Sequence, residues 1–150
     1  MRLSNLLDEN TITILLSHKD KQGVIEELLD LAVETGKINN RSLALKAIIE
    51  RETLMSTGLE RGVAVPHAKS KAAKELTMTL GISKEGIDFQ SADGKPSHLF
   101  FLLLAPESAA GPNIRVLAQI ARLTSIPSFC EALKKASSSK EAIEIIKNAE

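Results

Sequence analysis

Tryptophan and tyrosine are absent from this chain of 150 residues, and aromatic residues amount to 3% of it. The core must therefore be built from Leu, Ile, Val and Ala. There is one cysteine, Cys130, so an internal disulfide is excluded. Beside Phe129 in a helical pattern, that thiol reads as a small buried hydrophobe. Neither charge is in excess: nineteen basic and nineteen acidic residues leave a formal net charge of zero. Nothing in that balance points to a nucleic-acid or membrane surface. No apolar run is long enough to span a bilayer, and Asp8, Glu9 and Asn10 stand where a signal peptide would carry its apolar segment. The expected protein is soluble and cytoplasmic, with no membrane insertion. One cysteine and three scattered histidines do not give metal-ligand spacing. There is no phosphate-binding Walker loop, no dinucleotide fingerprint and no evident pair of catalytic carboxylates.

What is present fits one domain with an apolar share of 43%, enough for a core without staples. A short opening helix is expected over Leu3 to Leu7, and the alternation from Thr11 to Leu15 suits a strand. Val24, Leu28 and Leu31 recur at helical spacing within Lys19 to Thr35, before Gly36. Asn40 is placed to cap a helix from Arg41 to Leu54, striped by Ala44, Ala47 and Ile48. Ser56 to Val63 reads as a loop, and Ala64–Val65 as a short strand ending at Pro66–His67. Leu76 to Ile82 and Gly86 to Phe89 read as paired strands, with a turn at Asp93–Gly94. The unbroken apolar run Leu99 to Leu104 suits a fully buried strand. Asn113 opens a helix that Pro127 interrupts; two more follow, about Ser128 to Ala136 and Lys140 to Ala149. Strands mixed with helices predict an α/β fold, a three-layer α/β/α sandwich with a mixed central sheet.

Of the three histidines, His18 lies in a polar segment and reads as solvated, and His98 at a strand entrance reads as structural. His67 follows a glycine-containing loop and a short apolar strand, and Pro66 restricts the backbone on both sides. Such a position at a sheet edge is typical of a site, and nearby glycines let backbone amides approach an anion. Histidine is a fit phosphoryl acceptor, because its neutral ring, with an unperturbed pKa of about 6.5, carries a nucleophilic nitrogen. From these residues alone a functional and a structural His67 are equally open. Arg51 shares a helix face with Ala44, Ala47 and Ile48 and points toward the loop that leads to His67. Its fork suits a phosphate; snorkelling to solvent, or pairing with Glu50, Glu52 or Glu60, is the other reading. Ser56 and Thr57 offer hydroxyl donors to phosphate oxygens, or else shape the turn before Gly58.

The run from Arg51-Glu52 through Ser56-Thr57-Gly58 to Pro66-His67 resembles the active-site signature of the enzyme IIA family of the bacterial phosphotransferase system. The likeness is to the mannitol/fructose type, which includes the nitrogen-regulatory branch. Asp93-Gly94-Lys95-Pro96, the run Leu99 to Glu107 and the helix around Leu117 to Leu123 extend it over residues 1–150. The resemblance implies an α/β sandwich with a mixed sheet. It implies a phosphoryl group taken on His67 from an HPr-type carrier, with Arg51 stabilising phosphate charge. The group would pass to a IIB domain, in sugar uptake, or its presence would control a regulatory target protein. No metal, nucleotide or other cofactor is implied. Two positions depart from the family pattern. Glu60 stands where many members have a second glycine. Asn113 stands where many carry a second active-site histidine. Asn113 is able to hydrogen-bond the His67 ring or a phosphate oxygen but not to become a cation; it also reads as a helix N-cap. That substitution keeps open an alternative, a module that binds partners or anions without transferring phosphate. Val63 and Leu59, near His67, are expected to offer apolar surface to a donor.

Overall fold

The computed structural model describes residues 2–108 and 110–150. Two 3-10 turns, Leu3–Asn5 and Glu9–Thr11, lead into strand β1 (Ile12–Thr13). Helices α1 (Lys21–Glu34) and α2 (Arg41–Leu54) follow, then strands β2 (Val63–Ala64), β3 (His67–Lys69), β4 (Thr77–Ile87) and β5 (Ser97–Ala105). Helices α3 (Ala110–Thr124), α4 (Pro127–Lys134) and α5 (Ser139–Ala149) complete the chain.

The sheet is mixed, in the order β1-β4-β5-β2, with β3 also on β5. β4 and β5 pair antiparallel, whereas β1 on β4 and both β2 and β3 on β5 are parallel. Because side chains alternate along a strand, β5 feeds two cores at once. Leu99, Phe101 and Leu103 join the cluster under α3, α4 and α5, while Phe100, Leu102 and Leu104 join the one under α1 and α2. A strand buried on both faces has no polar alternation, which is why Leu99 to Leu104 is apolar throughout. The result is the three-layer α/β/α sandwich expected, with a mixed central sheet in a single domain.

The structure corrects several local expectations. Leu76 to Ile82 and Gly86 to Phe89 are not two paired strands but one strand, β4, whose partner is β5. The interruption is a bulge: the register shifts between Ile82 and Ile87, and Gly86 takes φ 89°. A Cβ on Gly86 would come within 2.8 Å of Pro96 and 2.9 Å of the His98 ring, so glycine is required there on two counts. The opening helix is only a 3-10 turn, and the first strand is two residues long. The break at Pro127 is where it was expected, α3 ending at Thr124, but Pro127 itself belongs to the first turn of α4, where a missing N–H costs nothing. Helix α3 begins at Ala110, so Asn113 is not its N-cap. His98 behaves as read, its Nδ1 donating to the Ser83 carbonyl at 2.9 Å; Cys130 is only half-buried, its thiol donating to the Thr124 carbonyl at 3.3 Å and its pKa pushed up by burial. Among the described residues no helix is long and apolar enough to cross a membrane.

Candidate functional site

β2 and β3 form one broken edge strand alongside β5, and the break is Val65–Pro66. Proline has no amide hydrogen to give to a ladder, so pairing stops and resumes one step later, with His67 opposite Leu103. His67 thus begins a strand, where the sequence reading put it just past one. The loop before it is a tight double-back. Val65 N–H donates to the Thr57 carbonyl at 3.0 Å, and Leu59 N–H to the Val63 carbonyl at 2.7 Å. The reversal uses Arg61 at φ 63° and Gly62 at φ 77°. The Gly62 carbonyl then accepts from the amides of His98 and Leu99, which fastens the loop to β5.

Helix α2 brings the arginine. The side chain of Asn40 accepts from Leu43 N–H and caps it, and its buried face is Ala44, Ile48 and Glu52. Arg51 lies in the last turn, where the helix dipole favours a cation. Among the described residues Arg51 is in no ion pair. Its Nη1 donates to the Met55 carbonyl at 2.8 Å, leaving other guanidinium hydrogens for a ligand. The alternatives Glu50, Glu52 and Glu60 are not its partners.

His67 and Arg51 line one cleft of about 780 Å³, together with Ala47, Glu50, Thr53 and Leu54 of α2, Ala68 and Lys69 of β3, and Asn113 of α3. The Nδ1 of His67 is 2.7 Å from the Val65 carbonyl oxygen. A carbonyl only accepts, so Nδ1 carries the proton and Nε2 keeps its lone pair. Asn113 is 7% exposed. Its buried Oδ1 has no hydrogen-bond donor among the described residues.

The sequence pattern described as phosphoenolpyruvate-dependent sugar phosphotransferase system, EIIA 2, matches residues 5–149. The fructose-specific EIIA component of Haloferax volcanii is 36% identical over 84% of this chain and 82% of its own length. The fructose-specific EIIABC component of Bacillus subtilis is 34% identical over 97% of this chain, which spans only 23% of that longer protein. The crystal structure of the nitrogen regulatory protein IIA-Ntr from Neisseria meningitidis superposes with a TM-score of 0.88 at 32% identity, covering 96% of this chain and 98% of that one. The chain belongs to the EIIA type 2 family.

Against the EIIA pattern, the structure brings together three of the five site residues read from the sequence: His67, Arg51 and Asn113. Ser56 and Thr57 do not line the cleft. The Ser56 hydroxyl donates to the Phe89 carbonyl at 2.8 Å and accepts from Gly58 N–H at 3.0 Å. Thr57 is buried, and its hydroxyl and amide both donate to the Glu52 carboxylate. Glu60 is exposed and also lies off the cleft. Lys69 escaped the sequence reading. The signal for it was parity, since His67 and Lys69 are alternate residues of one strand and share a side of it; with His67 placed past a strand end, that parity could not be used. Val63 is buried and offers nothing to a partner, and Leu59 is off the cleft; exposed apolar side chains on or next in sequence to the cleft lining include Leu54, Met55 and Ile114.

Proposed function

We propose that His67 is a phosphoryl acceptor and donor of the phosphoenolpyruvate-dependent phosphotransferase system, working in the cytoplasm. The observation that carries this reading is the 2.7 Å bond from Nδ1 to the Val65 carbonyl, which leaves the Nε2 lone pair for chemistry in a cleft that also holds Arg51. Nε2 attacks the phosphorus of a phosphohistidine on an HPr-type carrier. The nitrogen–phosphorus bond of the donor breaks, its electron pair returns to the donor ring, and a new bond forms on His67. The ring becomes more cationic as this bond forms, and the Val65 carbonyl at Nδ1–H offsets that change. Arg51 and Lys69 supply positive charge for the three phosphoryl oxygens, and the Asn113 amide supplies a neutral donor. Exposed Leu54 and Met55 give the donor ring an apolar rim to dock on.

Phosphorylated His67 then gives the group to a IIB domain, or its charge selects a regulatory target. Similarity to a fructose EIIA favours the first outcome and similarity to IIA-Ntr the second. The test is intact-mass spectrometry after incubation with phosphoenolpyruvate, enzyme I and an HPr-type carrier. One acid-labile phosphoryl adduct is expected, and none on His67→Ala. No adduct on the unaltered protein with any cognate carrier would leave the alternative, a partner-binding module without transfer. Transport and regulation separate by whether an immobilised protein retains a partner in only one phosphorylation state, since a switch requires differential affinity.

A further inference from the structure

We infer that the pair of half-buried Lys21 and buried Glu52 is a positioning device for the His67 ring, acting through Thr57 and Val65. This rests on the reading of His67 as the phosphoryl acceptor.

The chain of contacts is continuous. The Nζ of Lys21 lies 2.8 Å from the Oε2 of Glu52, and the two side chains are 20% and 5% exposed. Glu52 accepts from the Thr57 amide at 3.2 Å and from the Thr57 hydroxyl. The Thr57 carbonyl accepts from Val65 N–H at 3.0 Å, and the Val65 carbonyl accepts from His67 Nδ1 at 2.7 Å. The Val65 peptide is thus held on its amide side by a residue that Glu52 fixes, and on its carbonyl side it fixes the ring.

A buried carboxylate is costly unless it is paired and its lone pairs are used. Glu52 meets both conditions, but hydrophobic residues of similar volume would fill the space at no greater cost. What the charged arrangement adds is direction. Apolar contacts tolerate sliding, whereas a carboxylate holding one amide and one hydroxyl fixes a backbone segment in both place and orientation. The segment needs it: at the end of α2 Met55 has extended backbone and there is no left-handed glycine cap, so the path from Leu54 to Thr57 is set by side chains, Arg51 on the Met55 carbonyl, Ser56 on the Phe89 carbonyl and Glu52 on Thr57. Lys21 adds a second anchor, its Nζ lying 4.8 Å over the Phe89 ring and 3.2 Å from Gln90 Oε1. Glu52 touches neither His67 nor the cleft.

The test uses ring-¹⁵N-labelled protein, with the His67 signals assigned by their loss in His67→Ala, alongside steady-state transfer from an HPr-type carrier. In the unaltered protein the ring is expected as the Nδ1–H tautomer. Glu52→Gln is expected to give a mixture of tautomers and a kcat lower by about tenfold, with KM within about twofold because the docking rim is untouched. Thr57→Val, which deletes the hydroxyl and keeps the amide, is expected to move both readouts the same way by less, and it decides the matter if Glu52→Gln does not fold. Lower melting temperatures with tautomer and kcat unchanged would overturn the inference and make the pair purely structural. If even the unaltered protein takes no phosphoryl group, the phosphocarrier reading fails, and the ring spectra, which need no donor, still settle whether the pair orients His67.

Discussion

Helices α3, α4 and α5 press Val116, Ile120, Leu123, Phe129, Leu133, Ile143 and Ile146 against one face of the sheet. On the other face α2 offers Ala44 and Ile48, and its third buried residue is the carboxylate of Glu52. Burying one large aliphatic side chain is worth about 1.5–3 kcal/mol, and an alanine much less. Helix α2, whose Leu45, Ala47 and Ile49 add only partly buried contacts, is located by polar ties as well. At its start Arg41 reaches Asp30 at 2.6 Å and Glu26 at 3.1 Å on α1, and near its end Glu52 holds Lys21 and Thr57. Of the cationic side chains of the cleft, Arg51 comes from the sparsely greased helix and Lys69 from the edge strand β3. Apolar burial supplies stability without direction, and hydrogen-bonded charges supply direction at small net stability.

Five variants probe this contrast. His67→Ala should abolish the phosphoryl adduct while changing stability by no more than about 1 kcal/mol, the worth of one hydrogen bond; mass spectrometry and a melting curve measure the two. Phe101→Ala, in the apolar layer, should cost about 3–5 kcal/mol in denaturant unfolding, because it leaves a cavity among fully buried neighbours. Arg51→Ala should slow transfer by about a hundredfold, the scale for removing one preorganised donor to a charged transition state. A cooperative melt should persist in that variant; its loss would make Arg51 structural. Asn113→Leu should raise stability by about 1 kcal/mol, since it deletes a buried acceptor with no donor among the described residues, yet slow the transfer step. Thermal melts and single-turnover rates read the opposite signs, and a stability loss would mean that the carbonyl is satisfied after all.

The smallest effect is expected on the exposed rim. The hydrogen bond to Glu27 at 2.7 Å raises the pKa of His18 above the usual histidine value. A group whose pKa is raised by folding contributes stability that is full below its unfolded value, about 6.5, and fades as pH rises through the folded one. Glu27→Gln should therefore lower the His18 titration midpoint in an NMR titration and flatten that part of the stability profile. An unchanged midpoint would show that the pair is not formed in solution.

The positions of α1 and α2 were legible because helical periodicity and the Asn40 cap are local signals, and β5 because an apolar run of that length has few other homes. His67 and Arg51 were legible through the spacing of a family signature as much as through chemistry. The bulged β4 was not: the polar residues Ser83, Lys84 and Glu85 separate two stretches that read as paired strands, and only the partner strand β5 makes them a bulge in one strand. Ser56 and Thr57 were left between two readings for a related reason, because a hydroxyl beside a glycine suits a phosphate or a backbone equally well and the choice depends on which is nearer in space.

By itself the sequence determined the layered α/β class, the apolar central strand, the missing disulfide and the signature that ends at His67. Each of these follows from composition or from residues within a few positions of one another. Only the tertiary structure decided which nitrogen of His67 is free, that Lys69 and Asn113 share its cleft, and that Lys21 and Glu52, thirty-one positions apart in sequence, meet in the interior. Those facts are relations between separate elements. They are set by how helices settle on a sheet, and no window along the chain contains both partners.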